Sequence, residues 1–368
     1  MGRVKGICYG NDSFPAPYNP SAANFTQVFF GSDNTADYMG PLFHRDYTNS
    51  VQFWCQNEGF QAPPPCRWDN MRMYNMGVEV IRLYDWDPRN SHQSFLDGCA
   101  QDGLSVLVSV SNYFLQPGGG LPDMNKQIPA LIQSFSKGAD YHPAVQGIVM
   151  GNEFDLPGNG ISVANCVAFT QAWASIEQQQ FSSHRKVPIG HPVSFAMQNN
   201  RPPCWYAWDQ LLPELAPVLN SRLFLAPQTY NSADYLFQND GSGAGWVDRT
   251  YNQFNLPIWF TEIGQDRTKP NYLNVVMEQL SGCVNYAKQN PSKLIGSCMF
   301  SYADKVWMQG TSEGSFGAYT HAGTGPVTVT YTAKDFTHWD VSEFGTLNID
   351  NLQQTPLHDA VMKIYKSS

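Results

Sequence analysis

The sequence predicts an α/β fold of one kind, a (β/α)8 TIM barrel, formed as a single catalytic domain over residues 1–368. Three observations lead there. Short β-branched or aromatic runs recur eight times along the chain, amphipathic stretches lie between them, and no G-x-G-x-x-G follows any run, which removes the doubly wound dinucleotide-binding sheet. No self-similarity at a solenoid period occurs.

The elements follow in order. Residues 4–9 form the first run, and residues 78–84 (VEVIRLY) the second, led by a helical stretch at 68–76. Residues 104–110 (LSVLVSV) come third, after a helix at 94–101 that stops at Asp102-Gly103. Residues 145–152, 187–190 and 223–230 supply strands four to six, and 257–263 (PIWFTEI) and 294–302 (LIGSCMFSY) complete the set. Helices are read between them, for example at 163–180 and 273–289. Two stretches exceed ordinary loop lengths, 10–65 after strand one and 304–350 after strand eight, the latter with a possible hairpin at 325–332. Both leave the C-terminal ends of strands, where barrel enzymes build their sites, and both are read as cleft walls.

Composition narrows the chemistry. A 42% hydrophobic content excludes disorder, and no apolar run is long enough to span a membrane. The acidic balance, 22 Lys+Arg against 31 Asp+Glu, argues against a nucleic-acid partner. Charged residues are only 14% of the chain, against roughly 25% in ordinary soluble domains. They give way to 18 Tyr, 10 Trp and many amides, a surface suited to a neutral polar ligand such as a sugar. The eight cysteines include no C-x-x-C pair, and their even number fits disulfides or buried thiols. The sequons Asn11-Asp12-Ser13 and Asn24-Phe25-Thr26 point to a secreted or cell-wall-associated protein, although no signal peptide is read at the start. A monomer is expected.

Catalytic groups in a barrel occupy the last positions of strands. That test selects Asn152 and Glu153 after strand four, Glu262 at strand seven, Arg82 and Tyr84 on strand two, Tyr230 on strand six and Tyr302 on strand eight. Two carboxyl groups facing each other across one barrel mouth are the minimum equipment for cleaving a glycosidic bond. One donates a proton to the leaving oxygen and the other attacks or guides water.

Gly151-Asn152-Glu153 and Phe260-Thr261-Glu262-Ile263-Gly264 resemble the signature of clan A retaining glycoside hydrolases. Ile7-Cys8-Tyr9-Gly10 and Arg82-Leu83-Tyr84-Asp85 are similar to family 17 β-1,3-glucanases. Residues 66–112, with Ile81-Arg82-Leu83-Tyr84 and His92, resemble family 72 β-1,3-glucanosyltransferases, as do Gln228-Thr229-Tyr230, Asp248-Arg249-Thr250 and Glu343-Phe344-Gly345. The chain departs from family 72 after strand seven, where Glu262-Ile263-Gly264-Gln265 replaces a Glu-Tyr-Gly-Cys type sequence, and at Cys99, which falls about a turn late. The resemblance implies that Glu153 is the acid/base and Glu262 the nucleophile of a retaining β-glucanase, most readily on β-1,3-glucan. The same pair would serve a transglycosylase, and a non-catalytic carbohydrate-binding barrel is the alternative of another class.

Supporting roles follow from chemistry. Asn152 would hydrogen-bond the sugar 2-hydroxyl, Arg82 would keep Glu262 ionised, and Tyr230 would orient it. Tyr84, Tyr113, Trp86, Trp246, Tyr302 and Trp307 are expected to line the sugar site, with Phe114, Trp205 and Trp208 as further loop aromatics; Trp68 and Trp259 are expected in the core. Gly310-Thr311-Ser312-Glu313-Gly314 matches G-x-S-x-G but lacks the strand-to-helix setting of a nucleophile elbow. The histidines show no metal-binding spacing, and the chemistry requires neither a metal nor a cofactor.

Overall fold

The computed structural model describes residues 4–10, 69–88, 92–305, 314–328 and 346–367. Eight parallel strands close into a barrel in sequential order: β1 (Lys5–Cys8), β2 (Val80–Arg82), β3 (Ser105–Val110), β4 (Val145–Met150), β5 (Ile189–Ser194), β6 (Leu223–Thr229), β7 (Ile258–Ile263) and β8 (Leu294–Met299). Closure comes from β1, which pairs with β2 on one side and β8 on the other. The principal helices around the barrel are α1 (Asp69–Asn75), α2 (Gln93–Gln101), α3 (Met124–Ser134), α4 (Val163–Gln180), α5 (Trp205–Leu219), α6 (Trp246–Phe254), α7 (Tyr272–Gln289) and α8 (Pro356–Lys366).

The period-two alternation of the strands divides the core into two layers. Cys8, Val80, Leu107, Val149, Phe224, Ala226, Trp259 and Cys298 pack against each other inside the barrel. Their neighbours Ile7, Ile81, Val106, Val108, Ile148, Leu225, Ile258 and Phe260 pack outward with the helices. Trp259 is therefore core, as expected, and Gly296 beside it carries no side chain because a Cβ there would lie 2.5 Å from the indole.

All eight expected strands are present. Strand five begins two residues later than expected and runs on to Ser194, through His191 and Pro192. A proline within a run reads as a strand breaker because it removes a ladder donor, and here the strand continues past it. Helix α4 has the expected bounds, and the Ser162 hydroxyl caps it by accepting from the Asn165 amide at 3.2 Å. Helix α5 was hidden by Pro213 and Pro217 inside it. Of the hairpin expected at 325–332, residues 325–328 instead end β9 (Tyr319–Thr328), which pairs antiparallel with β10 (Thr346–Gln354), so that Thr328 meets Thr346; residues 329–332 lie outside the described residues. Residues 11–65 of the loop expected after strand one, both sequons, Cys55, Cys66, Trp68, Trp307, Gly310 through Glu313, and Glu343-Phe344-Gly345 lie outside the described residues. The six described cysteines are all buried, and among them Cys8, Cys166, Cys204, Cys283 and Cys298 are thiols.

Candidate active site

The site is assembled at the C-terminal ends of the strands, and one irregularity in β7 decides its orientation. Along β6 and β7, Leu225 pairs with Ile258 and Gln228 with Glu262, so β7 holds one more residue than its neighbour over that interval. Against β8, Ser297 pairs with Phe260 and Met299 with Ile263, again one extra on β7. This β-bulge reverses the alternation that starts at inward-facing Trp259. Without it Glu262 would face the helices; with it the carboxylate turns into the barrel mouth.

Four side chains converge on that carboxylate. Arg82 Nη1 at 2.8 Å, the Tyr84 hydroxyl at 2.7 Å and Gln228 Nε2 at 3.0 Å donate to Glu262 Oε1, and the Tyr230 hydroxyl donates to Oε2 at 2.8 Å. Arg82 is fully buried, with its guanidinium 3.7 Å from the centre of the Tyr84 ring. Burial raises the Tyr230 phenol well above its ordinary value, and the charges of Glu262 and Glu153 push it further. Burial likewise raises Tyr84, although Arg82 opposes it. Both tyrosines therefore stay protonated and donate. Burial also pushes the Cys8 thiol beneath them up to about 12.

Asn152 joins this network through its amide oxygen, which accepts from Arg82 Nη2 and from Gln228 Nε2, each at 2.6 Å. Its backbone is held separately: Asn112 Oδ1 accepts from the Asn152 amide at 2.7 Å, and Asn112 Nδ2 donates to the Asn152 carbonyl at 3.1 Å. The preceding Gly151 has φ +75°, and a Cβ there would meet Leu115 Cδ1 at 2.7 Å. Glu153 follows with φ 47°, a left-handed backbone that costs a non-glycine residue about 1–2 kcal/mol. Its carbonyl accepts from Asn159 Nδ2 at 2.7 Å and from the Leu156 amide at 3.0 Å.

An aromatic wall adjoins the carboxylates. Phe300 lies 6.3 Å from Tyr84, 6.4 Å from Tyr230 and 5.2 Å from Phe316, centre to centre, and Lys305 Nζ sits 4.4 Å above its ring. Tyr230 is 39% exposed and Tyr113 42% exposed, so both present faces to solvent.

Several expected sugar contacts are elsewhere. Trp86 is fully buried, stacked on His92 at 3.8 Å and bonded through its indole nitrogen to Ser134, so no ring face is left for a sugar. Trp246 is enclosed by Phe195, Trp208 and Phe260. Tyr302 is buried behind β1, where its hydroxyl donates to Asp69 at 2.8 Å. Phe114, Trp205 and Trp208 are buried as well. Each follows a strand in sequence, but helix and loop packing covers them. Gln228, Asn112 and Asn159 were missed. Gln228 was findable, since it lies two residues before Tyr230 and so shares its strand face.

No protein-family model matches the chain. Over 211 residues it is 21% identical to the 1,3-beta-glucanosyltransferase GAS2 of Saccharomyces cerevisiae, covering 56% of this chain and 36% of that protein. Over 303 residues it is 22% identical to the 1,3-beta-glucanosyltransferase PGA5 of Candida albicans, covering 80% and 43%. The chain thus spans less than half the length of these curated relatives. Among solved structures, Saccharomyces cerevisiae Gas2p in complex with laminaripentaose superposes with TM-score 0.52 at 15% identity, covering 99% of this chain and 65% of that one. Gas2 in complex with compound 10 gives TM-score 0.56 at 15% identity and the same coverage. This chain and these solved structures share the barrel fold, and the resemblance to β-1,3-glucanosyltransferases read from the motifs is borne out.

Proposed function

We propose that the barrel mouth is the active site of a retaining glycosidase or transglycosylase acting on β-1,3-linked glucan. The observation that carries this reading is the Glu262 carboxylate, aimed by a bulge and held by Arg82, Tyr84, Gln228 and Tyr230. Among the described residues Oε1 takes three donors and Oε2 one, which leaves Oε2 as the attacking oxygen. It forms a bond to the anomeric carbon as the glycosidic C–O bond breaks, and Glu153 gives its proton to the departing oxygen. Glu153, now a carboxylate, then takes a proton from an incoming hydroxyl, whose oxygen displaces Glu262 from the sugar. Two inversions restore the β configuration. The carbonyl oxygen of Asn152 is tied down, so its Nδ2 hydrogens are the side chain's donors for the sugar 2-hydroxyl.

Names of the sequence relatives, both glucanosyltransferases, favour a second sugar over water as the incoming hydroxyl. The laminaripentaose complex of the structural relative favours β-1,3 linkage. A secreted or cell-wall-associated monomer without cofactor fits this chemistry, and among the described residues no helix is long and apolar enough to cross a membrane. Product analysis on β-1,2-, β-1,3-, β-1,4- and β-1,6-glucan oligosaccharides tests the reading. Products longer than the starting β-1,3 oligosaccharide establish transfer, and shorter ones alone establish hydrolysis. No turnover of any β-glucan would leave only the carbohydrate-binding reading.

A further inference from the structure

We propose that Asn159 is a positioning residue for Glu153, fixing the acid/base group by holding its backbone in the left-handed conformation; this rests on the glycosidase reading above. A glutamate at φ 47° relaxes toward extended or helical backbone unless its surroundings hold it. The Asn159 side chain supplies that hold. Its Nδ2 donates one hydrogen to the Glu153 carbonyl at 2.7 Å and the other to the Asn152 carbonyl at 3.2 Å, clamping consecutive peptide groups. Asn159 is itself anchored: its carbonyl accepts from Gln116 Nε2 at 2.8 Å, and its amide donates to the Leu156 carbonyl at 3.1 Å. The loop after β4 is thereby tied to the segment after β3.

The clamp acts selectively on one of the two carboxylates. Asn152 has independent support from Asn112 on its backbone and from Arg82 and Gln228 on its side chain. Glu262 has four donors of its own. On the Glu153 carbonyl, Asn159 Nδ2 gives the shorter of two hydrogen bonds, at 2.7 Å against 3.0 Å from the Leu156 amide. Loss of Asn159 therefore displaces the proton donor while the nucleophile and Asn152 stay in place. Asn159 is half-exposed at the end of the short 3-10 turn Pro157–Asn159, so truncating it opens no cavity in the core.

The test compares Asn159→Ala and Asn159→Asp, neither of which can donate to the two carbonyls, with Asn159→Gln, which can. On a laminari-oligosaccharide, whose leaving group needs protonation, kcat should fall roughly tenfold or more in the first two variants with KM and Tm unchanged. On a dinitrophenyl β-glucoside, which leaves without help, the glycosylation step should change less than about threefold, and Asn159→Gln should recover part of the oligosaccharide activity. Equal losses on both substrates, or no loss, would overturn the proposal. A crystal structure of Asn159→Ala decides the point without turnover: Glu153 should leave the left-handed region, and its retention there overturns the clamp. Wild-type protein inactive on both substrates would sink the glycosidase reading alone, with the crystal structure still judging Asn159.

Discussion

At the scale of single residues, the site separates a group that must lose a proton from one that must only accept. Glu153→Gln cannot protonate a leaving oxygen, so oligosaccharide turnover should fall about 10²–10⁴-fold while glycosylation by an activated aryl glycoside is largely spared. Equal losses on both substrates would take the acid role from Glu153. Among the described residues, Tyr230 gives the sole hydrogen bond to Glu262 Oε2. Tyr230→Phe should therefore cost about 1.5–3 kcal/mol of transition-state stabilisation, read in kcat/KM, because a hydrogen bond to a charged acceptor is lost. A 2-fluoro glycoside should label Glu262, and mass spectrometry of the peptide checks it. Much of this was legible in the sequence. Arg82, Tyr84, Asn152, Tyr230 and Glu262 all lie at strand ends, where barrel geometry forces side chains to converge. The aromatics were not legible. A tryptophan after a strand has the same sequence context whether it faces a cleft or a helix, and only the packing of His92 and Phe135 on Trp86 separates the two cases.

Among the elements, β7 and α4 carry testable weight. The bulge in β7 makes residue count, rather than residue type, the determinant of where Glu262 points. Thr261→Ala should retain most activity, and deletion of Thr261 should still leave Glu262 facing the mouth, because plain alternation from inward-facing Trp259 through Phe260 then puts it inside; loss of activity in the deletion, with the barrel intact by circular dichroism, would show that the bulge itself is needed. Single-sequence reading sees that the run PIWFTEI is a strand, but a bulge has no signature there, because it is defined by the partner strands. At the opposite end of the barrel, Glu177 on α4 accepts from Arg222 at 2.6 and 3.1 Å, from Tyr141 at 2.6 Å and from Lys186 at 3.1 Å. Burial works against the Glu177 anion, but these donors, Arg222 foremost, hold its pKa below the ordinary 4.5. A depressed acid pKa stabilises the fold above the unfolded value, and that stability is lost as pH falls through the folded value. Thermal melts of the wild type should therefore drop below about pH 4.5, and Glu177→Gln should flatten that drop. Arg222→Met, which leaves the buried carboxylate Tyr141 and Lys186 alone among these donors, should destabilise by about 1.5–3 kcal/mol at neutral pH.

Over the whole molecule, the net charge of −9 and the sparse charged residues leave little for salt to screen, so the KM for a neutral β-glucan should change less than about twofold between low and moderate salt. A steep rise would indicate an anionic substrate held by Lys305 beside Phe300. The barrel itself was readable because strands buried on both faces are continuous apolar runs, and that signal survives the prolines. Its closure has a further consequence, for biosynthesis. Strand β1 meets β8 across 290 residues, and the end of α8 fastens the join, with the Tyr365 hydroxyl donating to the Gly6 carbonyl at 2.8 Å and Lys5 Nζ to the Tyr365 carbonyl at 2.5 Å. At ribosomal speeds of about 5–20 residues per second, one edge of β1 waits roughly 15–60 s for its partner. Chains stalled before residue 294 should be cut by protease throughout, and resistance should arise in one step once α8 has emerged.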